Sequence, residues 1–375
     1  MTALHPIRPA RLEAFIFRHR IATPVRTSFG VMHERPALLL RIEDADGAHG
    51  WGEVWCNFPA CGAEHRARLL ETLLAPLLRG AEFASPEAAW RELSERTEVL
   101  ALQSGEPGPI AQAIAGVDLA LWDLLARRAG QPLWRLLGGQ GDRLGVYASG
   151  LNPDAPERVV ARKQAEGYRA FKLKAGFGEA RDIDNLRRLR EALPQGSTLM
   201  VDANQAWDLP TALRMAERVA PFGLAWLEEP LRADRPWAEW QLLAARGGVP
   251  LAAGENLNGE AAFEALLQAA AVRVVQPDVA KWGGISGCLP VVRRLQAAGL
   301  RYCPHYLGAG IGLMHSAHLL AAVGGDGLLE VDANDNPLRS LLAPRIEAIV
   351  EGEVELGEEP GIGVEPDLRR LRSMG

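Results

Sequence analysis

The 375-residue chain has little cysteine, no block of positive charge and no long apolar run. Its four cysteines, Cys56, Cys61, Cys288 and Cys303, show no metal-ligand spacing, which argues against a zinc module. Cys56 and Cys61 are near enough in sequence to be bridged, but a chain with so few cysteines is expected to keep them reduced, in the cytoplasm. With 41 Lys and Arg against 47 Asp and Glu, the net charge is -6. No basic stripe marks a nucleic-acid partner. No apolar stretch reads as a membrane span, and MTALHPIRPARLEAF lacks the apolar core of a signal peptide. No G-x-G-x-x-G follows a first strand, so the dinucleotide fingerprint is missing as well.

What is present is a large apolar complement. Hydrophobic residues make up 48% of the chain, enough for a sizeable core. The length suits two domains, or one barrel with a cap. Two regimes are visible. Residues 1 to about 60 read as strands and turns, with EDADGAHG as a hairpin signal between apolar runs. Helical patterns follow in EHRARLLETLLAPLL, PEAAWRELSERTEVLAL and GPIAQAIAGVDLALWDLLARRAG, then a break at Gly130–Pro132 and a short helix ending at Gly138–Gly139. From about residue 144 short apolar strands alternate with amphipathic helices. The strands are GVYAS, AFKLK, TLMVD, LAWLE, PLAAG, VRVVQ, RYCP and GLLEV. Parallel strands with helical crossovers form a closed barrel or an open doubly wound sheet, and the span suits the barrel. The expected domains are an α+β cap over 1–135, a barrel over 136–345 and a segment over 346–375 that returns to the cap.

Lys172 and Lys174, two apart in AFKLK, share one face of a strand. Alone they fit a solvated edge strand. The strand ends change this. Lys174 ends AFKLK, Asp202 ends TLMVD, Glu228 ends LAWLE, Glu255 follows PLAAG, Asp278 follows VRVVQP, His305 follows RYCP and Glu330 lies in GLLEV. Their spacings are 28, 26, 27, 23, 27 and 25 residues, each one strand–helix unit. In a barrel such residues converge on one mouth, where barrel enzymes keep their chemistry. A single carboxylate at a strand end reads equally well as a helix N-cap. Asp202, Glu228 and Glu255 in succession would raise one another's pKa values unless a cation sits among them. An all-oxygen donor set favours Mg2+, or Mn2+, over zinc. Beside such an ion Lys174 is expected to have a lowered pKa, fit for a base, with Lys172 as a second positive charge or a contact for a substrate carboxylate.

Together these segments resemble the enolase superfamily, and within it the mandelate racemase and muconate lactonizing enzyme group, in its racemase-type branch. The resemblance spans essentially the whole chain. It is carried by GVDLALWDLLARRAGQPLWRLLGG, FKLKAG, VDANQAW, WLEEP, AAGENLNG, QPDVAKWGGISG, PHYLG, SAHLLAA and LLEVD. It implies an α/β fold, a (β/α)8-type, TIM-like barrel with an N-terminal α+β capping domain. It implies Mg2+ without an organic cofactor, removal of the proton α to a carboxylate, and a homo-oligomer. By position, Asp202, Glu228 and Glu255 resemble the metal ligands, with Glu229 outside the set. Lys174 resembles one acid/base, and His305, oriented by Asp278, the other. Glu330 resembles a group that must be protonated, with a raised pKa, to bond the substrate carboxylate. Asn204 is a polar substrate contact. Lys281 stands where the muconate lactonizing and dipeptide epimerase branches keep their second base, so a Lys174–Lys281 pair is the alternative. His315 and His318, spaced i,i+3 among apolar neighbours, read as packed.

In this family substrate choice lies in cap loops, here residues 22–36 and 53–65. Arg26 would meet a distal carboxylate or hydroxyl, or else be a solvated loop arginine. Trp55, with Phe58 and Phe29, would make the lid partly apolar. The leading expectation is dehydration of an acid sugar or related hydroxy acid, a small-molecule carboxylate. Racemisation, epimerisation and cycloisomerisation use the same groups. The alternative of another class is a non-catalytic binding barrel.

Overall fold

A computed structural model describes residues 6–374 of the chain. Strands β1 (Pro9–Thr27), β2 (Gly30–Asp44) and β3 (His49–Val54) form an antiparallel sheet. The chain turns between β2 and β3 within the EDADGAHG segment, where Asp44 N–H donates to Ala48 O at 2.8 Å. β1 and β2 make a long ribbon. After a register shift between Arg20 and Val25, Val25 pairs with Met32 and Thr27 with Gly30. Most of residues 22–36 is therefore strand, closed by a two-residue tip at Ser28–Phe29, and not the loop expected from the sequence.

Helices Gly62–Leu69, Pro86–Ser104 and Pro107–Arg128 complete the cap. The second has its stops written in the sequence. Ser85 accepts from Ala88 N–H at 3.3 Å, Pro86 opens the first turn and Gly105 closes the helix in left-handed backbone. Pro107–Arg128 corrects one expectation. With a mean hydropathy of 1.3 it is long and apolar enough to cross a membrane by composition, yet it is buried as the central helix of the cap. It packs directly under β3 because that strand carries glycines. A Cβ on Gly50 would stand 2.2 Å from Ala120 O, and one on Gly52 2.1 Å from Gly116 O.

The second sheet is a nearly closed parallel barrel of eight strands. These are β4 (Arg143–Leu151), β5 (Ala170–Lys174), β6 (Thr198–Asp202), β7 (Leu227–Glu228), β8 (Leu251–Ala253), β9 (Val274–Val275), β10 (Arg301–Tyr302) and β11 (Leu328–Asp332). They lie in the order β10-β9-β8-β7-β6-β5-β4-β11. All eight strands expected from the sequence are present. Among the described residues no ladder joins β10 to β11; there Leu328 N–H donates to Cys303 Sγ at 3.4 Å. β12 (Glu353–Glu355) pairs antiparallel with the start of β4. The chain then runs back along the cap, where Glu365 accepts from Trp51 Nε1 at 3.1 Å and from Arg127 at 2.8 Å.

Inside the barrel the side chains alternate as a pleat requires. Tyr147, Ala170, Met200, Trp226, Ala252, Val274 and Cys303 form an apolar floor. Two residues further along all of these strands but β8, where Gly254 stands and Glu255 follows, the inward positions turn polar, and there the site begins.

Candidate active site

Lys172 is fully buried directly above the floor. Its Nζ lies 2.6 and 2.7 Å from the two oxygens of Glu228, 2.7 Å from Glu330 Oε1 and 5.3 Å from the centre of the Tyr147 ring. Lys174, the next inward position, donates to Asp202 Oδ2 at 2.6 Å. Sheet register sets these meetings. Lys174 pairs with Asp202 across β5–β6, and Asp202 with Glu228 across β6–β7. The two lysines are thus interior groups, not a solvated edge.

Around the rim from β5, three places along by way of β4 and β11, stands β10. Just beyond it, His305 Nδ1 lies 2.7 Å from Asp278 Oδ2, and Nε2 lies 2.7 Å from Glu255 Oε2. Asp278 is itself fixed by Ala280 N–H at 2.8 Å. Lys281 donates to Asn256 Oδ1 at 2.8 Å, lies 3.7 Å from Glu255 and sits 5.0 Å from the Trp55 ring centre. Both candidate second bases therefore reach the mouth, and His305 is the one held by an aspartate. Glu229 accepts from Asn256 Nδ2, so it serves a different neighbour from Glu228. Asn204, Gln205 and Glu229 hold left-handed backbone at φ 44°, 62° and 37°. Such conformations cost energy in residues with a side chain and concentrate at functional rims. Asn204 bonds Asp202 through its own N–H at 2.7 Å and through Nδ2 at 3.0 Å, while its Oδ1 is buried without a partner.

The cap closes this rim into a cavity of about 380 Å3. Lys174, Asn204, Glu255, Lys281 and His305 line it from the barrel; Val25, Thr27, Phe29, Met32, Trp55 and Phe58 line it from the cap. The ribbon is tied down by Arg26 N–H to Asn152 Oδ1 at 3.1 Å and by Ser28 Oγ to Asn204 O at 2.7 Å. Arg26 itself needs correcting as a substrate contact. Val25 and Thr27 face the cavity, so strand alternation turns Arg26 outward. Its guanidinium is half exposed, 3.9 Å from Asp154, and does not line the cavity. Sequence reasoning missed Arg35, which is buried, lines the cavity and pairs with Asp332. It also missed a set of amides in the lining: Asn57, Gln112, Gln205, Asn256, Asn258 and Asn334. For Gln205, Asn256, Asn258 and Asn334 the signal was there in DANQ, GENLN and DANDN, where amides trail the strand-end carboxylates; Asn57 and Gln112 lie outside these motifs.

One protonation expectation is overturned, that of Glu330. The lowered pKa expected of Lys174 belongs to a site that holds Mg2+; with Asp202 paired to it instead, the Lys174 pKa is raised. Burial works against its charge, but the Asp202 carboxylate outweighs both burial and the repulsion from Lys172. Glu330 is held below the ordinary carboxylate range instead of above it. Burial favours its neutral form, but Lys172 and His305 keep it ionised. It also accepts from Ser149 Oγ and from Tyr306 N–H at 2.9 Å, and it does not line the cavity. Burial opposes the charges on Lys172 and His305 too, and in both the surrounding carboxylates prevail and push the pKa well up. These carboxylates favour the imidazolium form of His305. Burial lifts Glu228 to about 7, yet Lys172, Trp226 Nε1 and Gln276 Nε2 all donate to it, the pattern of an ionised carboxylate.

The expected three-carboxylate cluster is not preformed. Among the described residues no three His, Cys, Asp or Glu side chains are set to hold an ion. Lys174, Lys172 and His305 instead neutralise Asp202, Glu228 and Glu255 in turn. The donor chemistry nonetheless fits a hard divalent cation: three carboxylates from neighbouring strand ends, no sulfur among them, and the unpartnered Asn204 Oδ1 beside Asp202. His315 and His318 are buried away from the mouth. The His315 ring nitrogens lie 2.9 Å from the Ile311 and Leu119 carbonyls, and His318 Nδ1 accepts from Trp134 N–H at 3.0 Å. All four cysteines are free thiols.

Comparison with known proteins gives this geometry a family. Residues 11–138 match the mandelate racemase / muconate lactonizing enzyme N-terminal domain, and residues 155–370 match the enolase C-terminal domain-like family. The chain is 30% identical over 371 residues to D-galactarolactone cycloisomerase of Agrobacterium fabrum, covering 94% of this chain and 95% of that protein. It is 28% identical to arabinonate dehydratase of Saccharolobus solfataricus, covering 88% of each. Among solved structures, a mandelate racemase/muconate lactonizing enzyme from Bordetella bronchiseptica superposes with a TM-score of 0.94 at 64% identity, covering 99% of this chain and 100% of that one. A racemase from Streptomyces coelicolor with bound magnesium superposes with a TM-score of 0.88 at 31% identity, covering 98% and 99%. With both domains matched and the barrel ends carrying paired lysines and carboxylates, the chain belongs to the mandelate racemase/muconate lactonizing enzyme family of the enolase superfamily, and it is an enzyme.

Proposed function

We propose that this enzyme removes the proton α to the carboxylate of an acid sugar or related hydroxy acid and then expels a β-hydroxyl as water. One observation carries this. Lys174 and the Asp278-held His305 face one cavity of about 380 Å3 from separate sectors of the rim. A base and an acid can thereby address one substrate from different sides.

Asp202, Glu228 and Glu255 would hold Mg2+, or Mn2+, and the bound ion would offset the negative charge that grows on the substrate carboxylate. The magnesium in the Streptomyces coelicolor racemase structure supports this assignment. With Asp202 given over to the ion, burial and Lys172 would be left to lower the Lys174 pKa. Lys174 Nζ then accepts the α-proton. His305 is fixed through Nδ1 by Asp278, and with Glu255 given over to the ion, Glu330 and Asp278 would still favour the protonated ring, so Nε2 would deliver a proton to the departing oxygen. The amides of Asn57, Asn256, Asn258 and Asn334 suit the hydroxyls of the substrate, while Trp55 and Phe58 exclude water. This mixture of amides and apolar rings suits a hydroxylated carboxylate under a partly apolar lid. A homo-oligomeric, cytoplasmic enzyme without an organic cofactor completes the proposal.

A second outcome is cycloisomerisation, favoured by the near full-length match to the Agrobacterium cycloisomerase. The same pair would act, with a ring oxygen in place of hydroxyl as the group expelled. The test is incubation with Mg2+ in deuterated water against aldonic acids, aldaric acids and their lactones, followed by NMR. The expected result is a 2-keto acid with deuterium next to the carbonyl, lost in Lys174→Ala. A ring-altered isomer would select cycloisomerisation, and an epimer with α-deuterium would select racemisation. Silence across the panel, with Mg2+ binding measured by calorimetry, would reject the proposal.

A further inference from the structure

Strand β3 carries Glu53 to the boundary between cap and barrel, where the side chain is 2% exposed. Its Oε1 accepts from Ala309 N–H at 2.6 Å, and its Oε2 from Gly312 N–H at 2.9 Å. These donors open helix Gly310–Val323, whose own N-cap residue, Ala309, supplies no capping side chain. A helix start with buried, unpaired N–H groups is costly, and here the partner comes from another domain. The chain wraps closely around that carboxylate. A Cβ on Gly308 would stand 2.7 Å from Glu53 Oε1 and 2.3 Å from the Tyr306 hydroxyl, and one on Gly312 2.2 Å from the same hydroxyl. On its other side the turn is tied by Tyr306 N–H to Glu330 at 2.9 Å. His305 is the residue immediately before this doubly held turn.

We infer that Glu53 is a positioning residue: by capping helix Gly310–Val323 from the cap domain, it fixes the turn that holds the His305 imidazole against Asp278. Its consequence for turnover rests on the proposed role of His305; its geometry does not. Asp118, also buried in the cap, offers an internal comparison. It accepts from Ser286 N–H at 3.0 Å and so caps the neighbouring helix Gly284–Ala297.

The deciding experiment needs no substrate. Glu53→Gln keeps the side-chain size but offers one acceptor oxygen to two N–H donors. Hydrogen–deuterium exchange read by mass spectrometry is expected to quicken roughly tenfold or more over 306–314 and to stay unchanged over 284–290. The low-field proton of the His305–Asp278 bond, identified by its loss in His305→Asn, is expected to broaden or vanish. Asp118→Asn should loosen 284–290 instead. With any substrate found for the enzyme, kcat of Glu53→Gln is expected to fall by about 10²-fold while KM stays within about threefold. If Glu53→Gln fails to fold, Gly308→Ala, which crowds the same carboxylate, is expected to give the same local loosening. Wild-type exchange over 306–314 with an intact low-field proton, or equal loosening of both segments, would overturn the inference. An empty substrate panel would sink the proposed reaction and leave these two readouts to decide on Glu53.

Discussion

The floor and the mouth of the barrel are built by the same strands, about two residues apart, and both hold fully buried side chains. Met200 on the floor and Lys172 above it are each 0% exposed. What differs is the way each layer is held. The floor is packed from Tyr147, Met200, Trp226 and their neighbours, and its stability is non-directional burial. The mouth is held pair by pair: Lys172 between Glu228 and Glu330, Lys174 on Asp202, His305 between Glu255 and Asp278. A packed layer that loses one member keeps its remaining contacts around a cavity. A paired layer that loses one member strands a buried charge without its counterion. Under the proposed function, a divalent ion and a substrate carboxylate would have to compete for these same buried charges.

The largest effect is expected where that pairing is chemical. Lys174→Ala and His305→Asn should each lower kcat by about 10²–10⁴-fold, the range for loss of a general acid or base, with the protein still folded in Mg2+. Full activity in His305→Asn together with a dead Lys281→Ala would move the second base to Lys281. Next comes Lys172→Met, which leaves Glu228 and Glu330 facing one another without their cation. Urea denaturation is expected to show a loss of about 3–5 kcal/mol, the cost of breaking a buried pair from one side. A loss near zero would mean that those two carboxylates are not ionised together.

The floor supplies the contrast. Met200→Ala removes a buried side chain and is expected to cost about 2–4 kcal/mol in the same denaturation experiment. Its kcat/KM should nevertheless stay within about threefold, since an apolar cavity two residues below the site moves no charge. A collapse of activity there would show that the polar layer is positioned by floor packing and not by its own ion pairs.

The sequence made the vertical order of the barrel legible because the information is periodic. Strand-to-strand spacing placed Lys174, Asp202, Glu228, Glu255, Asp278, His305 and Glu330 at strand ends, and alternation placed Lys172 and Lys174 on one side. It could not show which partner each charge would choose. The ionised state of Glu330 depends on Lys172 and Ser149, which lie 158 and 181 residues before it in the chain and meet it only across the closed sheet. The role of Glu53 depends on two backbone N–H groups more than 250 residues away, and no residue type advertises a free amide. Asn256 and Asn334 are readable as polar groups just past strand ends, but an amide beside a strand-end carboxylate carries no charge to mark it as part of a site.

Arg26 shows the remaining limit, and it makes the smallest prediction. Which face of the β1–β2 ribbon a residue occupies is decided by parity, and a register shift between Arg20 and Val25 resets that parity within the segment. Arg26 falls on the outer face, half exposed and 3.9 Å from Asp154, whereas Arg35 on the paired strand is buried in the cavity wall. An exposed ion pair at that distance is worth little. Arg26→Ala is therefore expected to change stability by no more than about 0.5 kcal/mol, with KM and kcat within about twofold of wild type. Arg35→Ala, by contrast, leaves Asp332 unpaired at the mouth and belongs with the paired layer. A tenfold rise in KM for Arg26→Ala would mean that the ribbon turns its other face inward when substrate binds, and the division between an inner and an outer face of the lid would have to be redrawn.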